Sequence, residues 1–162
     1  MTIAVRHAER ADAAVLYRAW QALRQHYNES DRRIMLAPVS QPEFAAGLDA
    51  SISRRGAATL VAVDGKRLAG FATASVAANQ PDRLPERYVT IGYLWVEPQQ
   101  RRAGVARQLF EAISAWARTQ EGVIHFEMPV LETDAGAAEF WRSIGFTPFI
   151  KRLWAPLDPD PA

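Results

Sequence analysis

The chain contains no cysteine, which excludes a disulfide framework, a thiolate nucleophile and any metal site built on sulfur. Histidine is scarce: His7, His26 and His125 lie far apart, so no histidine-based metal site is expected. No apolar run approaches the ~18 residues of a membrane span. The stretch from Met1 to Arg6 lacks the apolar core of a signal peptide, so the expectation is a soluble, cytoplasmic protein without a membrane partner. Neither charge sign dominates, with 19 Lys and Arg against 18 Asp and Glu. Bulk electrostatics therefore gives no reason to expect nucleic acid as a partner. A Gly-Lys-Ser/Thr string is also missing, which argues against a nucleotide triphosphatase loop.

What is present is an ordinary globular balance over 162 residues, 49% apolar and 23% charged, enough for one substantial core. Residues 3–7 read as a short first strand. Asp12 can cap a helix over 13–27, where Val15, Leu16, Ala19, Trp20 and Leu23 share one face. A polar connector (28–38) follows. Pro42 then opens a second helix to about residue 54, with Phe44, Leu48 and Ile52 at every fourth position. At that point the period changes. Residues 57–63 and 67–77, joined at Asp64-Gly65, read as a β-hairpin. A charged loop with two prolines (79–87) leads to a strand over 88–96, with Val89, Ile91, Tyr93 and Trp95 expected on one face.

A central helix over 104–119 follows, with Val105, Leu109, Ile113 and Trp116 as its buried stripe. Residues 123–130 suit a strand in the interior of a sheet. A short helix spans 135–143, and 146–157 is expected to supply one or two closing strands. Neither a repeat nor a linker divides the chain, so residues 1–157 are read as one domain and 158–162 as a disordered tail. The strand–helix–strand unit from 88 to 130 implies parallel strands with a right-handed crossover, and the hairpin implies antiparallel neighbours. The expected fold class is α/β, a mixed central β-sheet with helices on both faces.

The most informative stretch runs from Gly92 through Tyr93, Leu94, Trp95, Val96, Glu97 and Pro98 to Arg101, Arg102, Ala103, Gly104, Val105, Ala106 and Arg107. A strand stops at a proline, and a basic loop then opens a helix at a glycine. The first amides of that helix lack helical acceptors, Gly104 lets the backbone approach a ligand, and three arginines add positive charge. Arginines are unfavourable against a helix N-terminus unless an anion joins them, so the pattern points to a phosphate-bearing ligand.

Two motifs in this order, Arg101-x-x-Gly104-x-Ala106 after a strand and Ala137-Ala138-Glu139-Phe140-Trp141-Arg142-Ser143-Ile144-Gly145-Phe146 near the end, resemble the GCN5-related N-acetyltransferase (GNAT) superfamily. The resemblance covers nearly the whole chain and implies the acyl-CoA N-acyltransferase fold. It implies acetyl-CoA as acetyl donor, with direct transfer to a primary amine of a small molecule or peptide. It also implies a β-bulge in the cofactor strand and a split between that strand and the next. Leu94, Trp95 and Val96 would hold the pantetheine arm, and residues 101 to 107 the diphosphate. A homodimer is common among similar proteins.

The chain departs from the family pattern at two positions. Asp134 stands where the family often has an asparagine that touches the cofactor, and Trp141 where it often has an acidic tyrosine. Asp134 also suits a helix N-cap, and Trp141 suits either core packing or contact with the pantetheine. Trp141 cannot deliver a proton; a thiolate can leave without an acid, and Tyr93 and Tyr88 are the candidate substitutes for the tyrosine. Glu97 and Glu127 are the candidate bases that free the amine, Glu127 expected among apolar neighbours. The substitution at Trp141 motivates an alternative, a non-catalytic acyl-CoA-binding regulatory module.

Overall fold

The computed structural model describes residues 2–158. Five strands, β1 (Ile3–His7), β2 (Ala57–Asp64), β3 (Arg67–Ala78), β4 (Arg87–Val96) and β5 (Val123–Glu127), form one sheet in sequence order. The first three pairings are antiparallel and β4–β5 is parallel. Helices α1 (Ala13–Ser30) and α2 (Gln41–Ser53) cover one face. The crossover helix α3 (Val105–Ala117) and α4 (Ala135–Ser143) cover the other. This is the mixed, two-sided α/β arrangement expected from the sequence.

Alternation along β2 and β3 builds both cores. Val61, Leu68 and Phe71 point to α1 and α2, against Leu16, Ala19, Leu23 and Leu48. Ala62, Ala72 and Ala74 point the other way, and their small side chains let Leu109 and Ile113 of α3 pack close to the sheet. Gly65 takes a left-handed φ of 61° in the tight turn between the hairpin strands, a conformation that favours glycine. A reciprocal capping box opens α2: Ser40 Oγ accepts from Glu43 N–H at 3.4 Å, and Glu43 Oε2 accepts from Ser40 N–H at 2.7 Å. Ser40→Ala should cost about 1 kcal/mol, a fall of roughly 2–4 °C in Tm by calorimetry. An unchanged Tm would mean that the box contributes nothing.

The structure corrects several expectations. α1 runs to Ser30, so Asn28, Glu29 and Ser30 are helical and the connector begins later. β5 stops at Glu127 and lies at the edge of the sheet rather than in its interior, with Ile124 80% exposed. Residues 147–157 form no strand, and Phe149, Ile150, Leu153 and Trp154 are exposed. Their apolar residues come as adjacent pairs flanking Lys151-Arg152, so no single face is apolar, and Pro148 and Pro156 carry no ladder donor. Of the expected disordered tail, residues 159–162 lie outside the described residues.

The face expected for β4 is also wrong beyond Ile91. Val89 and Ile91 join the α3 side, whereas Tyr93 and Trp95 pack with α1. Register explains the change: Ala74 faces Ile91 and Thr73 faces Tyr93, leaving Gly92 as an extra residue. That is a β-bulge, and it moves every later side chain of the strand to the opposite face.

Candidate active site

β4 and β5 pair only at Arg87↔Val123, Val89↔Phe126 and Thr90↔Glu127. Beyond Thr90 the strands part, and the next six residues of β4 have no strand partner on that side. At strand rise the open edge is about 20 Å long. Gly92 begins it. A Cβ there would lie 2.9 Å from Thr73 Oγ1, and that hydroxyl accepts from Tyr93 N–H at 3.0 Å, bracing the bulge. The bulge and the split thus occur together, leaving an extended run of backbone groups free to pair with a ligand.

At the far end of this edge the chain turns into α3. Glu97 N–H donates to Ala69 O, a 3-10 turn (Pro98–Gln100) follows, and Arg102 adopts a φ of 64°. Gly104, with φ 79°, stands at the N-cap of α3 with no side-chain cap. Nothing lies within 4 Å of where its Cβ would sit, so the space in front of the helix is open. The first amides of α3 point there without helical acceptors. Arg101, Arg102, Ala103 and Arg107 are exposed, Ala106 is half-buried, and Val105 anchors the turn in the core. Arg101 stacks over Trp95 at 5.1 Å and donates from Nε to Val96 O at 3.3 Å. Among the described residues none of the three arginines forms an ion pair. Their charge adds to the helix dipole, and together they fit a diphosphate.

Side chains gather over the split on its α1 side. Tyr93 and Trp95 come from β4, and His26 and Tyr27 from α1. Asp134 comes from the N-cap of α4. Its Oδ1 accepts from Ala137 N–H at 3.0 Å, and its Oδ2 meets His26 Nε2 at 2.8 Å. Burial pushes the Asp134 carboxyl up, but the Ala137 and His26 hydrogen bonds, with the charges of His26 and Arg101, outweigh it and hold the carboxyl below its ordinary range. Burial, with smaller effects from Tyr93 and Asp134, pushes the Tyr27 phenol up to about 12, so it stays protonated at neutral pH.

The sequence-predicted candidates are spread along the split. Glu127 sits where the strands part, paired with His125 Nε2 at 2.9 Å, while the His125 ring stacks on Tyr88. Its neighbours are therefore not solely apolar, as expected, but include an imidazole. Glu97 lies at the loop end, accepting weakly from Trp95 Nε1 at 3.4 Å and facing an open cavity beside the β2–β3 turn with Arg18, Lys66 and Gln100. Thr90 and Glu97 are about 20 Å apart along the strand, so the two glutamates serve different ends of the cleft. Trp141 is buried, its ring 5.0 Å from those of Phe140 and Phe146 on the α3 side.

Sequence reasoning passed over His26. A signal existed: Leu16, Ala19, Leu23 and His26 follow helical 3–4 spacing, so an imidazole continues the buried stripe of α1. Among the described residues no group of three His, Cys, Asp or Glu could hold a metal ion. Nor is any helix there long and apolar enough to cross a membrane.

The sequence profile of the acetyltransferase (GNAT) family matches residues 20–146. No curated protein sequence matches the chain. Among solved structures, a tetramutant of the BH1408 protein from Bacillus halodurans superposes with a TM-score of 0.82 at 20% identity, covering 95% of this chain and 99% of that one. The aminoglycoside N-acetyltransferase AAC(6')-Iy in complex with CoA gives 0.74 at 17% identity, over 96% and 94% of the two chains. An acetyltransferase of Trypanosoma brucei gives 0.68 at 21%, over 96% and 100%. At these identities the likeness speaks to the fold.

Proposed function

The chain belongs to the acetyltransferase (GNAT) family, and from that premise we propose that it binds acetyl-CoA in the split between β4 and β5 and transfers the acetyl group directly to a primary amine of a small molecule or peptide. The observation that carries this reading is the continuity of the open β4 edge with the Gly104 loop. An extended amide-bearing arm can pair along the edge while a diphosphate meets the amides and arginines from Arg101 to Arg107. The bulge at Gly92 then lies where such an arm would end. Backbone N–H groups there are suited to stabilise an oxyanion developing on the acetyl carbonyl. Cytoplasm is the compartment proposed, because it supplies the donor.

An amine reaches the site protonated and must lose a proton before it can attack. Glu127, at the point where the strands part, is the carboxylate placed to take it, directly or through water. Tyr93, the first residue after the bulge, lines the reacting end. Glu97, at the diphosphate end, is assigned no step. Trp141, buried in the aromatic core, packs behind the cleft.

The test is a panel of primary amines (aminoglycosides, polyamines, lysine and N-terminal peptides) incubated with acetyl-CoA while released thiol is followed. Turnover with at least one class is expected. Glu127→Gln should lower kcat by ~10²–10³-fold with acetyl-CoA binding retained. Binding without turnover of any amine would instead favour the acyl-CoA-binding module, and absence of binding would sink both readings.

A further inference from the structure

His26 occupies a position that core packing does not explain. It continues the buried stripe of α1, yet its side chain is 41% exposed, because the sheet has already split where the stripe reaches it. Its ring centroid is 6.4 Å from that of Trp95 on β4, and its Nε2 is 2.8 Å from Asp134 on the other bank, after β5. One imidazole thus joins both sides of the cleft, at Trp95, three residues beyond the bulge.

Chemistry fixes which ring nitrogen is free. The Asp134 carboxylate is oriented by the Ala137 amide and accepts only, so Nε2 carries the proton and donates to it. Nδ1 is then left with its lone pair, and among the described residues it makes no hydrogen bond. A carboxylate that sets the tautomer of an imidazole, with the second nitrogen left without a partner on a side chain 41% exposed, is the arrangement that makes histidine an acid–base catalyst. A simple ion pair tying α1 to α4 would need no cleft and no free nitrogen.

Resting on the acetyl-transfer reading above, we propose that His26, held in its Nε2–H tautomer by Asp134, is the proton shuttle of the transfer step. The neutral amine nitrogen forms a bond to the acetyl carbon, and the nitrogen becomes cationic. His26 Nδ1 takes the proton from that nitrogen. As the carbon–sulfur bond breaks, the same proton passes from Nδ1 to the departing sulfur, giving the amide, the free thiol and a neutral imidazole again. Glu127 acts earlier, on the incoming ammonium, so the two groups handle different protons. The titratable groups around the pair are Asp134 on α4, Tyr27 on α1, Tyr93 on β4 and Arg101 in the loop after β4.

Two variants and one spectroscopic measurement test the proposal. His26→Gln should lower kcat by ~10²–10⁴-fold with the KM for acetyl-CoA little changed. Asp134→Asn keeps a good helix cap, so the fold should persist while the tautomer preference is lost. Imidazole ¹⁵N spectra of the labelled protein should show His26 as the Nε2–H tautomer, and saturating CoA should shift its Nδ1 resonance. Those spectra need no acceptor. Unchanged kinetics in His26→Gln, an Nδ1–H tautomer, or an Nδ1 resonance unmoved by CoA that calorimetry shows to be bound would each overturn the shuttle while leaving acetyl transfer intact. Failure of CoA to bind the wild-type protein would overturn both.

Discussion

Replacing Gly104 by glutamate should abolish acetyl-CoA binding. At ~100 times its dissociation constant the ligand adds ~2.7 kcal/mol to the wild-type protein, or roughly 5–10 °C in Tm, and the variant should show no shift. Two causes act together. Gly104 holds a φ of 79°, where a side chain costs about 1–2 kcal/mol, although a Cβ there meets nothing. The new carboxylate would stand in front of the α3 amides, taking the place of the diphosphate and repelling it. Gly104→Ala bears the backbone cost alone and should keep most of the ligand shift. A full shift in Gly104→Glu would mean that the anion binds elsewhere.

The second large effect concerns Gly70 in β3, where the two layers meet. A Cβ there would lie 2.5 Å from the carbonyl oxygen of Trp95 and 3.3 Å from side-chain atoms of both Val105 and Leu109. Backbone on β4 cannot swing aside as a flexible side chain can, so relief means moving β3 from β4 or lifting α3 from the sheet. Gly70→Ala should therefore destabilise by ~2–3 kcal/mol, a fall of roughly 5–10 °C by calorimetry. Because Val105 opens α3, the same displacement should weaken acetyl-CoA binding. A Tm within 1 °C of wild type would show that the sheet absorbs the methyl group freely.

Features whose cause is local were legible in the sequence. Asp64-Gly65 marks the hairpin, the apolar stripe of α3 marks the crossover, and Gly104 after a basic loop marks the start of α3. The bulge left no such trace. Val89, Ile91, Tyr93 and Trp95 alternate without a break, yet Gly92 sends the second pair to the other face. Helices cover both faces of this sheet, so apolar residues suit either side and periodicity cannot report the flip. The His26–Asp134 contact joins residues 108 positions apart, and of the two only Asp134 had a local reading, as a cap. Residues 146–157 looked like strands through their apolar content, but adjacent pairs do not make a face.

The central claim is that the split between β4 and β5, from the Gly92 bulge to the Gly104 loop, is where acetyl-CoA binds. Amide ¹H–¹⁵N spectra recorded while acetyl-CoA is titrated into the wild-type protein test it most directly. The account predicts that the largest perturbations fall on Gly92 to Val96 and on Arg102 to Ala106, with β1 and the β2–β3 turn unmoved. Perturbations centred on the cavity beside that turn, at Arg18, Lys66 and Gln100, with the β4 edge silent, would contradict it.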